Sequence, residues 1–118
     1  MQYMILIYEP EGCYDGEAGQ AALQDIVAKH MALAGELRAS GVQKEGAGLQ
    51  GIETATTVSV RDNERVITDG PFAETKEVLG GYYIVDVKDL DRAVELAAKI
   101  PDSRTGSVEV RPVMDIPG

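Results

Sequence analysis

The stretch of sequence that decides the fold is DGPFAETKEVLGGYYIVDV, residues 69–87. Its first part, Asp69 to Glu77, combines a turn signal with charges of both signs, which is typical of a loop held between two strands. From Gly80 to Val87, glycines, tyrosines and aliphatic residues fill almost every position on both alternating faces. The stretch therefore predicts a loop that carries function, followed by a strand with cover on both sides.

The start of the chain predicts a second strand of the same kind. Gln2 to Tyr8 is a short, almost wholly apolar run. Alternation places Tyr3, Ile5 and Ile7 on one face, and Met4, Leu6 and Tyr8 on the other. Both faces require burial, which is typical of a central strand.

Two segments have helical periodicity. From about Ala18 to Ser40 apolar residues recur every three to four positions, and Gly41 is a natural C-terminal stop. A second helix begins at a cap provided by Asp89 or Asp91 and ends at Pro101. The two apolar stripes consist of Leu23, Ile26, Val27, Leu33, Ala34 and Leu37, and of Leu90, Ala93, Val94, Ala97 and Ile100.

The remaining segments complete a single domain, residues 1–118. Gly41 to Gly51 holds four glycines in eleven residues, which predicts that the backbone turns tightly or approaches another group closely. Three further strands are predicted at Glu53 to Arg61, Glu64 to Thr68 and Ser107 to Val113, the first two joined by the turn Asp62-Asn63. The order of elements predicts an α+β, ferredoxin-like sandwich, a βαββαβ core with one extra strand.

The apolar strands also predict a homodimer. Two helices cover only one face of the sheet, and the strands at Gln2 to Tyr8 and Gly80 to Val87 are apolar on both faces. The open face would expose a larger apolar patch than monomers usually tolerate. A second copy, packed sheet to sheet about a two-fold axis, would cover it.

Composition excludes several classes of partner. Eleven basic and twenty acidic residues give a net charge of −9, which repels phosphate backbones and anionic membranes. The apolar run at the N-terminus is too short for a signal peptide or a membrane span. A single cysteine, Cys13, forms no internal disulfide and fits the cytoplasm. We therefore expect a cytoplasmic protein that binds neither nucleic acid nor membrane.

Five segments together resemble the DGPF group of YCII-related proteins over essentially the whole chain. They are MQYMILIYEP, HMALAGELRASGV, TATTVSVRDN, TDGPFAETKEVLGGYYIVDV and VEVRPVMDI. The resemblance implies a dimeric α+β barrel, in which two ferredoxin-like units pair face to face. It also implies a His–Asp pair, proposed as catalytic for the wider group, and genes that often lie beside those of extracytoplasmic-function sigma factors.

The resemblance places this pair at His30 and at one of two aspartates. Asp69 of the DGPF motif is the first match, and Asp102, after the second helix, is the alternative. The chemistry suits the pair, because imidazole titrates near neutral pH and a carboxylate fixes its tautomer. His30 is equally well explained as a core residue, since it lies in the middle of the first apolar stripe.

The loop and the strand behind it supply further candidates. We expect a cleft lined by His30, Asp69 and loop residues. If Tyr83 shares a face with His30, its phenol is a hydrogen-bond donor to a substrate oxygen, and core packing is the alternative role of Tyr83. The loop residues concerned are Gly70, Pro71, Phe72, Glu74 and Lys76. A structural turn with solvated charges is the alternative interpretation of the loop.

No cofactor is expected. One histidine and one cysteine supply no metal-ligand spacing, and the glycines lack a nucleotide-binding pattern. The sequence therefore favours a cofactor-free acid–base enzyme, lyase-like or isomerase-like, acting on a small organic molecule. The alternative function is a non-catalytic module that binds a ligand or protein and serves sigma-factor signalling.

Overall fold

A computed structural model describes residues 1–116. Within these residues the chain forms six strands and two helices, with short 3-10 turns at Ile52–Thr54 and Pro101–Ser103. The strands are β1 (Gln2–Pro10), β2 (Gln43–Gly48), β3 (Thr56–Arg61), β4 (Glu64–Asp69), β5 (Glu77–Asp86) and β6 (Ser107–Pro112). The helices are α1 (Gly16–Ala39) and α2 (Leu90–Lys99), neither of which is long and apolar enough to cross a membrane.

Four of these strands form the main antiparallel sheet. Its order is β2-β5-β1-β6, so that the two longest strands, β1 and β5, lie in the centre as their apolar sequences predict. With the hairpin β3–β4 set aside, the element order is βαββαβ, consistent with a ferredoxin-like fold. The predicted α+β class is confirmed.

The core lies between this sheet and the helices. Alternate residues of β1 and β5 are buried with one side of α2 and the end of α1. The buried apolar residues are Tyr3, Ile5, Ile7, Leu37, Tyr83, Val85, Val87, Ala93, Leu96, Ala97 and Ile100. On the opposite face of the sheet Met4, Leu6, Tyr82 and Ile84 are only partly buried. One face of the sheet is therefore open.

Two features of the predicted sheet are wrong. The glycine-rich segment, for which tight turns or a close backbone approach but no strand were predicted, contains a strand, β2, and β3 and β4 form a separate two-stranded sheet. Glycine here permits close approach: a Cβ on Gly81 of β5 would lie 2.7 Å from the backbone oxygen of Ala47 in β2. The turn at Asp62 and Asn63 is as predicted, with φ of 51° and 65°.

The hairpin β3–β4 projects from the body of the molecule. Every residue of β4 is exposed, as are Val58 and Val60 of β3. The radius of gyration of the described Cα atoms is 16.1 Å, against about 13–14 Å for a compact chain of this length. The hairpin thus contributes little to the core within one chain.

Candidate active site

A cavity of about 600 Å³ opens between α1, β2 and the adjoining ends of β1 and β5. Its volume is typical of a small-molecule site. The wall is largely apolar on the α1 side, where Leu23, Ile26, Val27 and Met31 contribute to it. Polar groups enter it from the sheet, from α1 and from the 3-10 turn that follows α2. These include Glu9, His30, Gln43, Tyr83 and Asp102.

His30 is hydrogen-bonded through both ring nitrogens. Its Nδ1 lies 2.6 Å from the hydroxyl oxygen of Tyr83, and its Nε2 contacts Oδ1 of Asp102. The three residues come from α1, β5 and the 3-10 turn, so the fold itself brings them together. The imidazole remains partly accessible, with 22% of its side chain exposed, whereas 2% of the Asp102 side chain is exposed.

The backbone around Asp102 holds its carboxylate in place. The carbonyl of Asp102 accepts hydrogen bonds from the backbone N–H groups of Thr105 and Gly106. Ser103 Oγ donates to the carbonyl of Ile100, which stabilises the end of α2. Gly106 is required here, because a Cβ at this position would collide with the backbone oxygen of Tyr8 in β1. The turn is therefore fixed against the central strand.

The chemistry of the partners assigns the hydrogens on His30. A carboxylate can only accept, so Nε2 carries the proton that is donated to Asp102. On the neutral imidazole, Nδ1 is then the acceptor for the Tyr83 hydroxyl. Burial, followed by the charge of Asp102, raises the pKa of Tyr83 to about 12, although Arg38 lowers it. Tyr83 therefore keeps its proton at neutral pH and can donate to His30.

Glu9 and Tyr14 line the same cavity. Burial raises the pKa of Glu9, and the negative charge of Asp102 adds to this, while a hydrogen bond with Tyr14 and the charge of His30 act in the opposite direction. Burial and the hydrogen bond to Glu9 likewise raise the pKa of Tyr14. Burial and the charge of Glu9 raise the pKa of Cys13, so its thiol stays protonated.

Gly80 provides the space for the Glu9 side chain. A Cβ at Gly80 would overlap the Glu9 carboxyl group, with its Cδ at 2.6 Å. In the register of the sheet Ile7 pairs with Gly81 and Tyr8 with Leu79, so Gly80 is the extra residue of a bulge. The bulge and the absence of a side chain at Gly80 together leave space for the Glu9 side chain in the cavity wall.

The structure separates the predicted site residues into two groups. His30 and Tyr83 both line the cavity, and Tyr83 also belongs to the buried core. Asp69 instead lies exposed at the end of β4, opposite Thr56, so within one chain the partner of His30 is Asp102. The aspartate that contacts His30 is therefore Asp102, the alternative given by the sequence.

The predicted loop residues do not line the cavity of their own chain. Gly70, Pro71, Phe72, Glu74 and Lys76 are all absent from its wall, and Phe72 is 89% exposed. The loop is attached near the cavity at one point, where the carbonyl of Lys76 accepts from the N–H of Glu11 at 2.9 Å. The alternative interpretation, a structural turn with solvated charges, describes the loop within one chain.

Sequence reasoning missed Glu9, Tyr14 and Gln43. The signal for Glu9 was a carboxylate on the same face of β1 as Ile7, opposite a strand whose two glycines leave room. Gln43 was not recognised as a cavity residue because its strand, β2, is rich in glycine and its sequence predicts a turn. Within residues 1–116, no three residues among His, Cys, Asp and Glu are arranged to hold a metal ion.

Comparisons with known proteins give two matches. The family model of the YCII-related domain matches residues 1–117. The uncharacterized protein R00369 of Rhizobium meliloti (strain 1021) is 33% identical over 122 aligned residues. That alignment covers 96% of this chain and 92% of the relative, so the similarity extends over nearly the whole length of both.

Proposed function

The chain belongs to the YCII-related domain family, and from its site we propose that it is a cofactor-free acid–base enzyme acting on a small organic molecule. The observation that carries the proposal is the hydrogen-bonded series Tyr83–His30–Asp102 in the wall of the cavity. A histidine between a buried carboxylate and a phenol is arranged to accept a proton and to stabilise the charge that results.

The proton transfer proceeds through Tyr83, because both nitrogens of His30 are occupied. The hydroxyl oxygen of Tyr83 takes a proton from the bound molecule while its own proton passes to Nδ1 of His30. The imidazolium that forms is paired with the Asp102 carboxylate, and the bound molecule becomes an anion. Return of the proton to a different atom completes an isomerisation, and departure of a leaving group from the anion completes a lyase reaction.

We also propose that the protein is a cytoplasmic homodimer joined through the open face of the main sheet. The partly buried apolar residues Met4, Leu6 and Ile84 of this face support the proposal, since no helix of the described chain covers them. Leu6→Asp should convert dimer to monomer in sedimentation equilibrium, whereas Val60→Asp on the projecting hairpin should not. A monomeric native protein at micromolar concentration would refute the dimer.

Hydrogen–deuterium exchange at carbon tests the acid–base function without a known substrate. A panel of amino acids, amino ketones and 2-oxo acids is incubated with the protein in D₂O, and loss of C–H signals is followed by NMR. We expect exchange with at least one compound, slowed about 100-fold or more in His30→Gln and Asp102→Asn. Asp69→Asn, the matched control, should exchange at the native rate. Absence of exchange that depends on His30 would contradict the proposal.

A ligand-binding module is the second candidate function. The observation in its favour is that both ring nitrogens of His30 already have partners, as they would in a rigid cavity wall. In that case the panel would bind without exchange, and His30→Gln would alter affinity only.

A further inference from the structure

Glu9 is an acid of the cavity wall that the proton transfer through Tyr83 does not use. It shares a face of β1 with Ile7, which is buried, so its side chain lies on the core side of the sheet. The turn of Asp102 packs directly against it. The N–H of Gly106 donates to the carbonyl of Asp102 at 2.8 Å, and a Cβ on Gly106 would lie 3.1 Å from the Cα of Glu9. Glu9 is therefore a neighbour of the buried carboxylate that contacts His30.

Tyr14 positions the Glu9 carboxyl group. Its hydroxyl donates a hydrogen bond to Glu9. The backbone of Tyr14 is held against the start of α1, because Nε2 of Gln20 donates to its carbonyl at 2.9 Å and a Cβ on Gly19 would overlap the same carbonyl group. A carboxyl group has two oxygens, so the hydrogen bond from Tyr14 leaves one of them for a ligand.

The space between Glu9 and Tyr83 is free of side chains from β5. The Glu9 carboxyl group occupies the place that a side chain of Gly80 would take, and Tyr83 follows three residues later on the same strand. Gly81, between them, lines the cavity and shares a face with Tyr83. Three residues of a strand span about 10 Å. A carbonyl group and its neighbouring carbon, contacted at each end at about 3 Å, fit such a gap.

The surroundings of Glu9 suit a proton donor. Burial raises its pKa and the charge of Asp102 adds to this, against the hydrogen bond from Tyr14 and the charge of His30. The thiol of Cys13 also faces Glu9, and burial raises the pKa of that thiol, so it brings no charge at neutral pH. A carboxylic acid with a raised pKa acts as a general acid closer to neutral pH.

We propose that Glu9 is a second catalytic residue, the acid that protonates the carbonyl oxygen of the substrate while Tyr83 takes a proton from the adjacent carbon. The substrate class is then a carbonyl compound with hydrogen on the carbon next to the carbonyl group. This inference rests on the proposed function, because it uses the base formed by Tyr83 and His30.

The two proton transfers convert the carbonyl compound to a neutral enol. The electron pair of the C–H bond becomes the C=C bond, and the π pair of the carbonyl group takes the proton of Glu9. The proton from carbon stays on Tyr83, whose own proton passes to Nδ1 of His30. Glu9 is left as a carboxylate and His30 as an imidazolium. Both are restored when Glu9 takes a proton back from oxygen and Tyr83 returns one to carbon.

Hydrogen–deuterium exchange of the acetophenone methyl group in D₂O, followed by NMR, tests this acid. The native rate above background should pass through a maximum with pH, because the reaction requires Glu9 protonated while His30 is neutral. In Glu9→Gln exchange should be at least about tenfold slower and should not decline above the maximum, since neutral His30 persists there. Glu17→Gln, the same change at an exposed residue outside the cavity wall, should retain the native profile.

The ¹³C resonance of the Glu9 carboxyl group gives a measurement that needs no turnover. A carbonyl oxygen accepts a hydrogen bond only from the protonated acid, so saturation with acetophenone should raise the pKa of Glu9. Ethylbenzene, which has the same shape and no acceptor, should not. Tyr14→Phe should raise the pKa of Glu9 as well, because it removes a hydrogen bond that lowers it. An unchanged pKa of Glu9 with acetophenone would overturn the contact.

The two measurements distinguish failure of this inference from failure of the proposed function. Exchange that depends on His30, with the native rate and pH profile retained in Glu9→Gln, would support the enzyme and overturn the role of Glu9. A raised pKa of Glu9 with acetophenone, together with no exchange that depends on His30, would support the carbonyl contact and refute catalysis. Slow exchange in Glu9→Gln, without the decline at high pH, would support both proposals.

Discussion

The pairing of His30 with Asp102 can be measured as a coupling free energy. Asp102→Ala removes a carboxylate whose side chain is 2% exposed and leaves the Nε2–H of His30 without its acceptor. A hydrogen bond to a charged group contributes about 1.5–3 kcal/mol. Since 22% of the His30 side chain is exposed and water can replace part of the contact, we expect a loss of about 2 kcal/mol. This corresponds to a decrease in Tm of roughly 8 °C.

A double-mutant cycle isolates the pairwise contribution. Urea unfolding of the native protein, Asp102→Ala, His30→Ala and the double variant is compared at one protomer concentration, because the stability of the proposed dimer would depend on concentration. The coupling should be about 1.5 kcal/mol or more. The matched cycle of Asp69→Ala with His30→Ala should be additive within about 0.5 kcal/mol, because Asp69 shares no partner with His30. Additivity for Asp102, or coupling for Asp69, would refute the pairing.

Two further predictions concern the burial of Tyr83 and the space at Gly80 and Gly81. Tyr83 ionises near pH 10 when unfolded and has a pKa raised to about 12 by burial in the folded protein. Stability linked to Tyr83 should therefore be complete below pH 10 and be lost as the pH rises through about 12, and Tyr83→Phe should flatten this decline in urea unfolding. Gly80→Ala should cost less than about 1 kcal/mol, since only the flexible Glu9 carboxyl group must move. Gly81→Ala should cost about 1–3 kcal/mol, because its Cβ would meet the backbone of Ala47.

Each of these predictions has a defined contrary result. An equal decline of stability between pH 10 and 12 in the native protein and in Tyr83→Phe would show that Tyr83 is not buried in its protonated form. Equal losses of stability in the two glycine variants would show that the backbone of Ala47 in β2 gives way to an added Cβ as easily as the flexible Glu9 carboxyl group does.

The sequence predicts most of the fold because apolar residues recur with the period of a strand or of a helix. The apolar faces of β1 and β5 and the stripes of α1 and α2 are local patterns, and the structure places all four elements as expected. The position of β2 was not predicted, since glycine has the same signature in a turn and in a strand that approaches its neighbour closely. The position of the hairpin depends on contacts that no local pattern describes.

The site was predicted only in part, for a similar reason. His30 and Tyr83 each lie on an element whose faces can be deduced from alternation or helical period. The choice between Asp69 and Asp102 as the partner of His30 depends on how the turn after α2 packs against β1. The turn motif at Asp69 contains no information about that packing. The position of Glu9 in the cavity wall was not predicted, because it depends on the bulge at Gly80, which leaves space for the Glu9 side chain.

The tautomer and hydrogen bonds of the single imidazole test the site most directly. Long-range ¹H–¹⁵N correlation of the neutral form of His30 should show Nε2 protonated, with its proton protected from exchange by Asp102, and Nδ1 as an acceptor. In Asp102→Asn that proton should exchange faster, whereas in Asp69→Asn it should not change. A protonated Nδ1 on a neutral ring, or an imidazole proton that exchanges freely in the native protein, would contradict the Tyr83–His30–Asp102 series.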